Sequence, residues 1–382
     1  MAYKALFSPL QIGDVTLKNR ITMAAFARNR AEDTYPTDLM KEYYVQRAKG
    51  GAGLIVTEAI LVTRQGTEWP HSPGIWEDKH VTLWKGIVDA VHAAGGLLYG
   101  QVIPLFFVGR AGHPDAEQQK LAGIPVYGPS AIGARGGKFK FIPGCPGYVI
   151  PTPIDDPWKI IEQFKQAAFN AKKAGFDGIE LHGSNGYIIH QFLDSTSNHR
   201  TDEWGGSIEN RSRFGLEVLK VMVEAFGRNV SVKLSPSGGY NDMGMPLQET
   251  LDTYSHFISE ADKLGLAYIC LVRYQAAYDA EYDGVLRSTP HDVIESYASL
   301  IKNSKLIINA GVTPEEGEQL VASGKVDAIA IGFNWITHPD LANRVLKGKP
   351  LNNVPDIPHL QTNRNSGDWS TGYTDYPAAE YE

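Results

Sequence analysis

Apolar runs of four to seven residues alternate along the chain with longer segments whose apolar positions recur at helical spacing. The runs Ile21–Ala25, Gly53–Ala59, Leu97–Ile103, Gly178–His182, Val230–Ser235, Ala267–Val272, Leu306–Asn309 and Ala328–Gly332 predict eight strands. They are continuously apolar rather than alternating, as expected of parallel strands buried on both faces. Between them, Asp38–Lys49, His80–Ala94, Trp158–Ala174, Arg211–Phe226, Leu247–Lys263, His291–Lys302, Pro314–Ala322 and Pro339–Leu346 predict helices. Gly95, Gly175, Gly227, Gly265 and Gly324 stand where helices should stop. Eight such units in 382 residues predict an α/β fold, a (β/α)8 TIM barrel forming a single domain over 1–382. A doubly wound sheet would open with a G-x-G-x-x-G turn, and the sequence has none.

Two segments break the alternation. Residues 106–157, after the third strand, are too long for an ordinary βα connection and rich in glycine and proline. They predict an extra loop, a lid or hairpin over the active-site face. Their basic cluster, Arg135, Lys138 and Lys140, reads first as a solvated loop edge and second as a phosphate contact. The tail, 355–382, ends GYTDYPAAEYE. Its aromatic content predicts packing onto the barrel or onto a partner subunit.

Composition narrows the function. A net charge of −7 lacks the basic excess of a nucleic-acid binder and suits an enzyme acting on a small molecule. Two cysteines, Cys145 and Cys270, are too few for a disulfide scaffold or a cysteine-rich zinc site. No run resembles a signal peptide or approaches ~20 consecutive apolar residues, so a cytoplasmic protein with no membrane partner is expected. No metal site is expected either, because His182 and His190 have no carboxylate at ligand spacing.

The densest chemistry lies at the end of the fourth strand, in Glu180-Leu-His-Gly-Ser-Asn-Gly-Tyr187. Polar residues at the C-terminal end of a barrel strand point into the active site. His182 and Asn185 can both donate hydrogen bonds to one oxyanion, and Tyr187 carries a phenol able to give a proton. Donors converging on a carbonyl oxygen polarise an adjacent C=C bond and stabilise an enolate. The bland alternative is a capped turn around one satisfied histidine. Three such groups within six residues favour chemistry.

The run from His182 to Phe214, HGSNGYIIHQFLDSTSNHRTDEWGGSIENRSRF, resembles the signature of the old yellow enzyme family. So do FSPLQIGDVTLKNRI (7–21), GGAGLIVTEA (50–59), PGIW (73–76), LSPSGGYND (234–242), HPDLANRVLKGKPLN (338–352) and GYTDYP (372–377). These matches span nearly the whole chain in the family's order. The resemblance implies an FMN-dependent flavoprotein, an oxidoreductase of the ene-reductase type on a TIM barrel. NADPH or NADH would reduce the FMN, whose N5 would pass a hydride to the β-carbon of an α,β-unsaturated carbonyl compound. His182 and Asn185 would hold the carbonyl oxygen, and Tyr187 would protonate the α-carbon. The cofactor-binding positions it implies are Ala25, Phe26, Ala27, Ala59, Gln101, Lys233, Gly311, Gly332 and Phe333. Phe106, Phe107 and Tyr274 are candidate substrate contacts, and a homodimer is the family's expectation.

Some of these positions depart from the family's pattern. Ala27 stands where a threonine hydroxyl is usual. Three extra residues precede Gly109-Arg110, so a register set by that pair would put Pro104 in the place of Gln101. Lys233 replaces an arginine, keeping the charge without the fork. Phe333 replaces an arginine that would meet the FMN phosphate. Three readings follow: an ene-reductase with a partly rebuilt cofactor site; a flavin-poor or flavin-free relative using the same His/Asn/Tyr site for a redox-neutral isomerisation or cyclisation; and a non-catalytic scaffold.

Overall fold

The structure, a computed structural model, describes residues 3–64, 71–103, 121–135, 150–361 and 367–381. Its frame is a closed barrel of eight parallel strands: β1 (Ile21–Met23), β2 (Leu54–Val56), β3 (Leu98–Ile103), β4 (Gly178–Gly183), β5 (Val230–Leu234), β6 (Tyr268–Val272), β7 (Lys305–Asn309) and β8 (Ala328–Ile331). Each strand pairs with the next, β8 pairs with β1 through Ile331↔Met23, and Ile60–Leu61 extends the second strand's pairing with β3. All eight predicted strands are present, each shorter than its apolar run or within a residue of it.

The helices between them are α1 (Asp38–Lys49), α2 (Asp78–Ala93), α3 (Pro157–Ala174), α4 (Ile208–Phe226), α5 (Leu247–Asp262), α6 (Val293–Tyr297), α7 (Pro314–Ala322) and α8 (Leu341–Lys347). Their boundaries follow local chemistry. Thr37, Asp156, Ser207 and Thr313 each accept a backbone N–H of the first turn, and Pro157 and Pro314 occupy early positions where no N–H is needed. Helix α3 stops at Gly175, whose φ of 90° is strained for any residue with a side chain. The helix expected over His291–Lys302 is the main difference. Asp292 caps Ile294 and Glu295, so α6 starts later, and it tightens after five residues into a 3₁₀ turn, Ala298–Leu300.

Strand parity builds two cores. Ile179, Leu181, Val230, Val232, Ile269, Leu271 and Ile329 face outward and pack under the helices. The alternate residues Leu54, Val56, Tyr99, Tyr268, Cys270, Ile307, Ala328 and Ala330 fill the barrel interior. An antiparallel hairpin, Leu10–Ile12 with Val15–Leu17, adds Leu10, Ile12 and Leu17 to that interior cluster and closes the N-terminal end. Its turn at Gly13 lies so close to the Arg228–Asn229 backbone that a Cβ there would sit 2.5 Å from the Arg228 carbonyl oxygen.

Of the long insertion, Phe106 and Phe107, with Pro104, Gly109, Arg110, Lys138 and Lys140, lie outside the described residues. The flanks Tyr127–Gly128 and Thr152–Pro153 pair in parallel, so these two segments are not the arms of one hairpin. In the tail, Tyr373 is fully buried and stacks on Tyr43 with ring centroids 4.1 Å apart. The Arg28 guanidinium bonds to the Leu360 and Gly372 carbonyls, and Arg30 bonds to those of His359, Trp369 and Thr371. Among the described residues no helix is long and apolar enough to cross a membrane.

Candidate active site

The end of β4 carries the cluster picked out in the sequence. His182 is the last inward-facing residue of the strand, is 6% exposed, and lies in register with Lys233 of β5. Beyond it the chain turns sharply. Asn185 takes a left-handed conformation with φ of 59°, its N–H donates to Ser235 Oγ at 3.0 Å, and its carbonyl accepts from Asn241 Nδ2 at 2.8 Å. This fixes the turn against the loop after β5. Tyr187 then starts a short helix, Ile188–Leu193, and its ring meets the His182 ring edge-on at 5.2 Å between centroids. The ring also packs by Leu61 and Ile103, at the ends of the neighbouring strands.

The electrostatics set the form of the histidine. Burial, followed by the charge of Lys233 and the proximity of His190, holds the His182 imidazole well below the ordinary histidine range. It is therefore neutral and has one ring proton to place. The N–H of Ser184 points to Nδ1 at 3.4 Å and Ser184 Oγ lies 2.8 Å from the same atom. A backbone N–H can only donate, so Nδ1 is the acceptor and the proton sits on Nε2. His182 thus offers one neutral N–H donor. His190, also buried, accepts from the N–H of Gly186 through Nδ1 and is lowered to about 4, chiefly by burial.

The expected cofactor positions gather at the same end of the barrel. Ala25, Phe26 and Ala27 follow β1, Ala59 follows β2, Gly311 follows β7, and Gly332 and Phe333 follow β8. The Phe26 and Phe333 rings meet edge-on at 6.0 Å, and Gln361 Nε2 donates to the Ala27 carbonyl at 3.3 Å. Lys233 is 7% exposed and takes part in no ion pair among the described residues. Gln101 faces inward from β3 in register with Glu180, and its Nε2 donates to Glu180 Oε1 at 2.6 Å. Tyr274 follows β6, with its hydroxyl 3.2 Å from Asp279 Oδ2.

Other charged groups near the mouth are committed to each other. Arg135 donates to both Asp242 oxygens, at 3.2 and 2.9 Å, and Arg287 Nε lies 2.8 Å from Asp242 Oδ1. Asp242 therefore ties together the loops after β3, β5 and β6. Arg273 grips Glu316 with both terminal nitrogens, at 2.5 and 3.0 Å, and donates from Nε to the Ala310 carbonyl.

Sequence reasoning missed Ser184, Ser235 and Asn241, which shape the β4 turn. It also missed Glu180, Tyr268 and Glu58. Period-two parity from His182 would have found Glu180. Glu58 Oε2 accepts the N–H groups of Arg28 and Asn29, and burial raises its carboxyl. No sequence signal identified it.

Comparisons with known proteins give the family and the fold. The family model described as NADH:flavin oxidoreductase / NADH oxidase matches residues 5–352. The NADP-dependent oxidoreductase lnbE of Aspergillus flavus is 36% identical over 98% of this chain and 96% of its own. The probable inactive reductase easA of Epichloe festucae var. lolii is 34% identical over 100% and 97%. The probable flavin mononucleotide-dependent alkene reductase of Leishmania infantum is 33% identical over 97% of each chain. The solved structure of morphinone reductase superposes with a TM-score of 0.84 at 34% identity, covering 98% of this chain and 96% of that one.

Proposed function

The chain belongs to the NADH:flavin oxidoreductase / NADH oxidase family, the old yellow enzymes, and from that membership we infer how its residues perform the reaction. It is an FMN-dependent, NAD(P)H-consuming oxidoreductase of the ene-reductase type. The donor set fits the cofactor. A buried ammonium, Lys233, has no direct ion pair among the described residues, and an anionic edge of the flavin ring would supply a counter-charge. Around it the strand ends carry small residues, Ala25, Ala27, Ala59, Gly311 and Gly332, and the space where a Cβ of Gly332 would stand is open to 4 Å. Lys233 and Gln101 would hold the pyrimidine edge, and the strand 7 and 8 ends would meet the phosphate side through backbone N–H groups.

The FMN that these residues would hold would supply, when reduced by NADPH or NADH, hydride chemistry toward the β-carbon of an α,β-unsaturated carbonyl substrate. The protein's own part is polarisation and protonation. His182 Nε2–H and the Asn185 amide donate to the carbonyl oxygen and stabilise the enolate as charge moves onto it. A neutral donor suits this step, because the proton stays on the ring and is not surrendered to the enolate. Tyr187 gives its phenolic proton to the α-carbon, and solvent reprotonates it. Hydride and proton together convert C=C to CH–CH and leave the carbonyl intact.

The observation that carries this reading is the buried His182, with Nδ1 met by Ser184 and its ring edge-on to Tyr187 at the barrel mouth. The purified protein, supplied with FMN, should show flavin absorbance that NADPH bleaches anaerobically and that 2-cyclohexenone restores. A protein that ignores excess FMN would overturn it. The second reading, a redox-neutral isomerisation or cyclisation at the same three residues, draws on the relative named a probable inactive reductase and on the apolar Phe26–Phe333 pair. It would be supported by turnover of an enone without consumption of NADPH.

A further inference from the structure

Beneath the mouth, the barrel interior holds a carboxylate, Glu180, that the reaction as described leaves without a role. Glu180 is 3% exposed. Its Oε1 accepts from Gln101 Nε2 at 2.6 Å and its Oε2 accepts from the Tyr268 hydroxyl at 2.8 Å. Both donors are neutral. Burial raises its carboxyl, and the charge of Lys233 opposes that shift without a direct ion pair among the described residues. A cavity of about 10 Å³ is bordered by both charged groups, together with Thr22, Ala25, Tyr268 and Cys270. That is room for one water molecule, and a carboxylate, an ammonium and a hydroxyl are there to bind it.

A buried carboxylate is costly. Taking one out of water opposes folding unless its charge is used or balanced. Val56, Ile307 and Ala330 line the same cavity beside Thr22, Lys233 and Tyr268, and Glu180 is the one carboxylate in that lining. Two consequences follow from the carboxylate. Because it can only accept, it holds the amide nitrogen of Gln101 toward itself and turns the amide oxygen away. Because it shares a cavity with Lys233, it offsets part of that ammonium's field.

We propose that Glu180 is a positioning residue under the cofactor: it orients the Gln101 amide and, through one water shared with Lys233, sets the net charge beneath the flavin ring and hence its reduction potential. This rests on the reading that FMN binds at the mouth.

The test is an anaerobic redox titration of the FMN-loaded protein against a reference dye at fixed pH. Glu180→Gln removes the negative charge, leaves Lys233 uncompensated, and favours the more negative reduced flavin. The reduced-to-oxidised ratio at a fixed dye poise should rise about tenfold or more. Glu180→Asp keeps the charge and should return the ratio toward that of the wild type, which a purely packing role would not do. Lys233→Met should move it in the opposite direction. A flavin-loaded Glu180→Gln protein with an unchanged ratio overturns the proposal while leaving the ene-reductase reading intact. If Glu180→Gln fails to fold or sheds its flavin, Glu180→Ser, a smaller neutral side chain, is titrated in its place: a raised ratio supports the proposal and an unchanged one overturns it. A wild-type protein that binds no FMN overturns the functional reading itself, and this proposal with it.

Discussion

The N–H of Ser184 and its hydroxyl oxygen converge on a single atom, His182 Nδ1, at 3.4 and 2.8 Å. The residue two places beyond the histidine thus selects its tautomer. Ser184→Ala keeps the backbone donor and removes the hydroxyl, so the tautomer should persist with looser aim. A net hydrogen bond of about 1 kcal/mol predicts a loss of roughly fivefold in kcat/KM for an enone. The rate of NADPH oxidation in the flavin half-reaction should stay unchanged. Stopped-flow separation of the two half-reactions checks this.

Tyr187→Phe removes the proton donor and keeps the ring against Leu61 and Ile103. The expected outcome is a 10²–10⁴-fold slower oxidative half-reaction with an enone, the usual range for a lost general acid. FMN content and reduction by NADPH should match the wild type. Equal slowing of both halves would remove Tyr187 from its role.

Stability should depend on pH through buried histidines. His80 and His190 are each lowered from 6.5 to about 4, chiefly by burial. Between those values the unfolded chain binds the additional protons, so stability rises with pH across the window. It is fully present above about 6.5 and is lost as pH falls toward 4, by up to about 3 kcal/mol for each group. Glu58 and Glu180, whose carboxyls are raised by burial, act in the opposite sense just above the ordinary carboxylate range. Thermal melts from pH 7.5 to 4 should show Tm falling on acidification, and His190→Gln should flatten the slope.

The tail predicts a fourth outcome. Tyr373 stacks on Tyr43, and the Arg28 and Arg30 guanidinium carbons lie 5.0 and 4.8 Å from its ring centre. Tyr373→Ala should destabilise the protein by about 3–5 kcal/mol, in line with emptying a buried aromatic site. Tyr373→Phe should cost little, because its hydroxyl has no hydrogen-bond partner among the described residues. Urea unfolding of the two variants distinguishes lost packing from a lost polar contact.

The barrel was legible because a strand buried on both faces leaves an unbroken apolar run, and glycine stops mark the helices between. His182, Asn185 and Tyr187 were legible because they follow one another along the chain. The polar layer was harder to see. Gln101, Glu180, Lys233 and Tyr268 each sit singly on four different strands, and only the closure of the sheet brings them together. Tyr274 was placed by its position after a strand, and its bond to Asp279, five residues on, appears only once the loop has folded back. The late start of α6 was hidden because Asp292 acts as a cap only once the chain before it has turned.

The hairpin that carries Leu10, Ile12 and Leu17 into the floor of the barrel makes the interior a blind well. Whatever charge, proton or water reaches the level of Glu180 must descend from the rim and return by the same route. The well also insulates: with buried side chains below and solvent only above, the field of Lys233 is screened more on one side than on the other. Loosening the hairpin, a region far from any reacting atom, would therefore retune the rim electrically before it unfolded anything.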